Sequence, residues 1–161
     1  LEHASACREP MVAELQRSHK HNAWKRTPLA QATNTLTSKW VLKWKEINSE
    51  RKVKGRLVAQ GFKDTQADSS YAGTTTRWAQ RLIVIISVQM GWPLVSSDIS
   101  EAFLRGLTFE ELEKTDSQSI SRNVQLVLPP GSEELLRTLP GMETFDGRVE
   151  CLKLIRPGFG L

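Results

Sequence analysis

Cysteine is scarce: Cys7 and Cys151 are the only two in 161 residues. A pair so far apart gives neither a disulfide framework nor the close spacing of a zinc site. The three histidines, His3, His19 and His21, match no metal-ligand spacing with Cys7. Long apolar runs are missing too, and none approaches the ~18 residues that cross a bilayer, so no membrane partner is expected. The opening residues, Leu1-Glu2-His3-Ala4-Ser5-Ala6-Cys7, lack the basic start and apolar centre of a secretory signal. The expected location is intracellular, in cytoplasm or nucleus, and not secreted. The chain does not begin with Met, so a fragment is expected. Internal repeats and low-complexity segments are absent.

What is present suits one domain of α+β class with a packed core: 39% of residues are hydrophobic and 25% charged. The net charge of +4 decides little, but its distribution is uneven. Between Lys39 and Lys63 there are eight Lys or Arg and two acids, Glu46 and Glu50. Such an excess fits a polyanion partner or, equally, a solvated face.

Residues 1–10 read as a disordered start, and Met11–Lys20 as a helix with Pro10 near its first turn. Thr27-Pro28 gives an extended exit. Thr37–Glu46 alternates as a strand, with Trp40, Leu42 and Trp44 on one face and Lys39, Lys43 and Lys45 on the other. After a turn at Asn48-Ser49-Glu50, Lys52–Gln60 returns. Val53, Leu57 and Ala59 oppose Lys52, Lys54 and Arg56. The hairpin is therefore a basic ribbon with an apolar back, and Trp40 and Trp44 are expected in the core. Asp64–Gly73 is a polar loop. Thr74–Gly91 reads as a helix capped by Thr74 or Thr75 and buried on most sides. Phe109–Lys114 is a short acidic helix, and Thr115–Asn123 looks like an insertion. Val124–Leu128 is a strand, Ser132 caps a helix over Glu133–Leu139, and Val149–Ile155 is a last strand.

The most informative stretch is Trp92–Gly106. Leu94 and Val95 lead, as a strand, into Asp98. A carboxylate at the tip of a buried strand must be paired, hydrogen-bonded or bound to a cation. On spacing alone Asp98 is either such a group or an ordinary N-cap for the turn Ser100–Leu104.

Ser97-Asp98-Ile99-Ser100-Glu101-Ala102-Phe103-Leu104-Arg105-Gly106 resembles the first conserved block of reverse transcriptases of the Ty1/copia retrotransposon type, usually L-D-V-x-x-A-F-L-x-G. Lys39-Trp40-Val41-Leu42-Lys43 and Lys54-Gly55-Arg56-Leu57-Val58-Ala59-Gln60-Gly61-Phe62 resemble the family's K-W-V-x-K and K-A-R-L-V-A-x-G-F, with Gly55 in place of Ala. Glu14, Asn22, Trp24 and Pro28 are similar to its opening. Val124–Gly131 and Leu152–Leu161 are similar to its later words. The resemblance covers about residues 10–161.

It implies a partial polymerase, with fingers over about 11–91 and the start of a palm over about 92–161, built from an antiparallel β-hairpin and packed helices. It implies RNA-directed DNA polymerase activity in the full protein, with Mg2+ as cofactor. Asp98 would be the catalytic metal ligand and the Ile99 carbonyl a second ligand. Ala102 and Phe103 would line the nucleotide site, where the Phe103 ring rejects a 2′-hydroxyl. Lys54 and Arg56 would hold the triphosphate. The implied partners are an RNA template, a DNA primer, deoxynucleoside triphosphates and the remainder of the Pol polyprotein. The family's second pair of acids, in a Tyr-x-Asp-Asp turn, is absent: the single tyrosine, Tyr71, is followed by Ala72-Gly73. One carboxylate holds magnesium poorly, so this fragment by itself is expected to be inactive. The alternative is a decayed or repurposed remnant that binds nucleic acid without catalysis. A host α/β protein with no nucleic-acid role is the third possibility.

Overall fold

A computed structural model describes residues 2–47, 49–66, 74–115 and 122–158. The middle of the predicted insertion, most of the 64–73 loop, Asn48 and the last three residues lie outside the described residues. The chain divides into two units, Leu1–Ala67 with Glu101–Leu161, and Asp68–Ser100.

The first unit is built on a five-stranded sheet of order β1-β5-β4-β2-β3. Its strands are β1 (Trp24–Pro28), β2 (Thr35–Ile47), β3 (Glu50–Ala59), β4 (Gln125–Val127) and β5 (Glu150–Leu154). β2 and β4 run parallel, and the other neighbours are antiparallel. With the helices around it, the architecture is α+β. Trp24–Pro28, expected only to be extended, is a full strand because β5 supplies it with a ladder.

The hairpin follows the alternation in the sequence. Trp40 stands opposite Leu57 and Trp44 opposite Val53, while Lys43 opposes Lys54 and Lys45 opposes Lys52. One sheet face carries Leu36, Ala59, Leu126, Leu152 and Leu154 into the core. Leu15 of α1 (Glu2–Lys20), Leu135 and Leu136 of α5 (Glu133–Leu136), and then Leu139, Met142 and Phe145 cover that face. Each leucine, methionine or phenylalanine among them contributes about 1.5–3 kcal/mol on burial.

Several expectations change. Helix α1 begins at Glu2, not Met11, so residues 2–10 continue it and Pro10 lies inside. The cost of that missing N–H is offset by docking on β3, the terminal strand of the sheet. Leu57 N–H donates to the Glu14 carboxylate, which covers an edge that would otherwise invite pairing with other chains. Gly55 permits this approach, since a Cβ there would lie 3.2 Å from the Pro10 carbonyl oxygen. Trp40 packs on the core, but Trp44 does not: it is 47% exposed, with Arg51 stacked 5.1 Å from its ring centroid. The hairpin simply outruns the core at that point. Ser132 does not cap α5. Its hydroxyl accepts from Trp40 Nε1 at 2.8 Å, and its backbone is already helical. Helix α5 stops at Leu136 rather than Leu139.

In the second unit, α2 (Arg77–Met90) is capped by Thr76 rather than Thr74 or Thr75, through a 3.2 Å bond from Ala79 N–H. Gly91, at φ 66°, closes it in the left-handed conformation. The expectation that α2 is buried on most sides is wrong: Trp78 is 76% exposed and Val88 75%, and Ser87 is its buried residue. Trp92–Ile99 forms no strand. A strand needs a neighbour to take its N–H and C=O groups, and the described residues of this unit offer none.

Candidate nucleic-acid interface

Paired residues on neighbouring strands share a face. The face away from the core therefore carries Lys39, Val41, Lys43 and Lys45 on β2, and Lys52, Lys54, Arg56 and Val58 on β3. Its row across the sheet runs Thr35, Gln125, Lys153, Lys25. Among the described strand residues on this face the one acid is Glu50 at the hairpin tip, bound to Lys52 at 2.6 Å; Glu46 and Glu150 point to the other face. Like charges directly opposite one another are destabilising, and the Lys43–Lys54 and Lys45–Lys52 pairs put that cost into a single ribbon. Lys54 and Arg56, the sequence candidates for phosphate, thus stand side by side on a cationic surface.

Ala102 and Phe103 lie in the same unit, on the single turn α3 (Ala102–Arg105). That turn is fixed from several directions. Glu101, its N-cap, adopts the left-handed conformation (φ 60°, ψ 34°), unusual for a residue with a side chain. Its carboxylate meets His21 Nε2 at 2.9 Å. Arg156 donates to the carbonyls of Gly106 and His21, and Leu104 packs on the core. Behind it, α4 (Phe109–Thr115) begins with a reciprocal cap. Glu111 N–H donates to Thr108 Oγ1 at 3.1 Å, and Thr108 N–H donates to the Glu111 carboxylate at 2.7 Å; the latter bond is the main reason the Glu111 carboxyl lies below its ordinary range. Phe103 is presented at 52% exposure on this anchored turn.

Asp98 and Ile99 belong to the other unit, in an exposed segment without regular structure. The cap of α3 is Glu101, so the N-cap reading of Asp98 falls. Among the described residues, no set of three or more His, Cys, Asp or Glu is placed to hold a metal ion. Asp98 and the Ile99 carbonyl are two oxygen donors next to each other in the chain. Magnesium takes six ligands and releases water reluctantly, so this pair does not build a magnesium site unaided.

Asp64 has a different role. Its side chain is fully buried. It accepts from Asn34 Nδ2 at 2.7 Å, from Gln66 N–H at 2.9 Å and from Arg122. Burial pushes its carboxyl up, but these three donors outweigh burial and leave it below the usual carboxylate range. Asn34 N–H also donates to Gln125 Oε1 at 3.0 Å, and Gln125 Nε2 to Asn123 Oδ1 at 2.9 Å. This network ties loop to sheet and commits the buried Asp64 carboxylate to protein donors.

Sequence reasoning missed Lys25 and Lys153. They are remote in the chain and meet only through the β1–β5 register. No helix among the described residues is long and apolar enough to cross a membrane. The sequence model of the family described as reverse transcriptase (RNA-dependent DNA polymerase) matches residues 21–133. No curated protein and no solved structure matches the chain.

Proposed function

The chain belongs to the reverse transcriptase (RNA-dependent DNA polymerase) family, and from that premise we propose that it is the fingers and first part of the palm of a copia-type retrotransposon polymerase, a piece of its Pol polyprotein. The family works with a divalent metal, a nucleic-acid template and nucleotide substrates. The observation that carries the reading is the hairpin. Lys39, Lys43, Lys45, Lys52, Lys54 and Arg56 share one face while Trp40, Leu42, Trp44, Val53 and Leu57 share the other, and like charges are held in opposite pairs where packing alone would not place them.

In this reading Lys54 and Arg56 contact phosphates, with the Arg fork bonding two oxygens at once. Ala102 and Phe103 line the sugar side of the nucleotide site, and the ring blocks a 2′-hydroxyl by shape. Asp98 and the Ile99 carbonyl contribute oxygen ligands for Mg2+, the hard cation such donors favour. The remaining acids of such a site, a Tyr-x-Asp-Asp turn, are not in this sequence. The 161-residue chain therefore binds template–primer without extending it.

The test is a primer-extension and binding assay on the isolated chain with an RNA template and a DNA primer. Salt-sensitive binding with background incorporation is expected. Incorporation above background would contradict the reading, and so would an absence of binding. In a longer chain that carries the Tyr-x-Asp-Asp turn, Asp98→Asn abolishes synthesis and Phe103→Val admits ribonucleotides. Unchanged sugar discrimination would remove Phe103 from its role.

A further inference from the structure

Lys25 of β1 and Lys153 of β5 are direct cross-strand partners, and Lys153 in turn opposes Gln125 of β4. Among the described residues neither lysine has an acidic partner. Both border a recess of about 470 Å³ together with Thr27, Gln31, Asn123 and Gln125. No acid lines it. Arg26 also borders it, but its guanidinium is committed to Glu150 at 2.7 Å and to Thr144 at 3.0 Å. The floor is rigid: Gln125 is 1% exposed, and its carboxamide is held between Asn34 N–H and Asn123 Oδ1. Two lysines bordering a recess lined by amides and a hydroxyl, with no acid, suit an anion.

We propose that this recess binds a backbone phosphate of a nucleic-acid strand crossing the outer sheet face from the hairpin, an inference that rests on the nucleic-acid reading above. Lys153 lies two strands from β2, in the row of Thr35; Lys39 is four residues further along β2 and Lys43 eight. At about 4.8 Å between strands and about 3.3 Å per residue, the recess is roughly 16 Å from Lys39 and roughly 28 Å from Lys43. A stacked strand rises about 3.4 Å per nucleotide, so the path from Lys43 to the recess spans about eight nucleotides. The hairpin alone accounts for a shorter footprint.

Fluorescein-labelled oligouridines of about four to about sixteen nucleotides, titrated at several salt concentrations, test this by anisotropy. Wild-type affinity is expected to rise with length up to about eight nucleotides and then level off. Lys25→Gln with Lys153→Gln is expected to remove the gain at the longer lengths. It lowers the slope of log affinity against log salt by about 0.7, for the one single-strand phosphate that the recess no longer neutralises. Lys25→Arg with Lys153→Arg keeps both, which separates lost charge from lost fold. If the Gln pair binds with unchanged slope and length dependence while Lys54→Ala with Arg56→Ala weakens binding, the recess proposal is wrong and the family reading stands. If the wild type binds no oligouridine, both fall.

Discussion

Lys43→Glu makes the hairpin more stable and a poorer ligand for nucleic acid. Lys43 stands directly opposite Lys54 on the outer face. A like-charge pair there costs about 0.2–1 kcal/mol, and an opposite-charge pair contributes a similar amount. Reversing one partner therefore shifts stability by roughly 1 kcal/mol. For a chain of this size that is about 2–4 °C in Tm. Lys43 is the better residue to reverse, because Lys54 also helps keep the buried Glu14 carboxylate charged, and reversing Lys54 would add repulsion there. The same change deletes one phosphate contact and engages Lys54 in a new ion pair. The salt slope for single-stranded RNA then falls by at least about 0.7. Thermal unfolding followed by circular dichroism, paired with anisotropy, reads both quantities. A lower Tm with unchanged binding would refute the premise that the ribbon is strained for the sake of a polyanion.

Two further outcomes concern stability and local order. A carboxyl held below its ordinary range binds protons more weakly in the folded state. Asp64 therefore contributes stability above about pH 4 that is lost as pH falls through its folded value. Glu150, lowered chiefly by its bond to Arg26, acts in the same direction, whereas Glu14, raised by burial, acts in the opposite one. Asp64→Ala strands Arg122, Asn34 and the Gln66 N–H and costs about 3 kcal/mol at pH 7. In urea titrations Asp64→Asn flattens the acid limb, and an unchanged limb would mean the network does not hold that charge. Amide exchange in α2, whose apolar side chains are largely exposed, is expected to run at least about tenfold faster than at Leu126 and Leu152. Equal protection would show that α2 is covered by something in solution.

The hairpin was legible because two alternating strands on either side of a short turn encode their own register: Trp40 and Lys43 announce their faces without help from the rest of the chain. The extent of the core was not legible. Trp44 continues the same pattern as Trp40, and only the position of α1 and α5 decides that one is packed and the other open. Helix α2 was visible from its periodicity, but periodicity reports an apolar face and not what covers it. Ser132 looked like a cap because Ser before Glu-Glu fits one, yet the Trp40 indole, 92 residues away in sequence, claims its hydroxyl. The row Lys25–Lys153 has no sequence signature, since strand order β1-β5-β4-β2-β3 brings remote segments together. Asp98 and Phe103 were named through a motif. The structure gives the Phe103 turn its anchors, and for Asp98 it removes the capping role.

Lysine footprinting on the template–primer complex reads directly whether the cationic ribbon is the nucleic-acid surface. The chain, free and bound, is acetylated briefly and mapped by mass spectrometry. Protection is expected at Lys39, Lys43, Lys45 and Lys54, with none at Lys114, which is exposed on α4 and paired with Glu110 at 3.0 Å. Protection at Lys114 with the ribbon left reactive would contradict it.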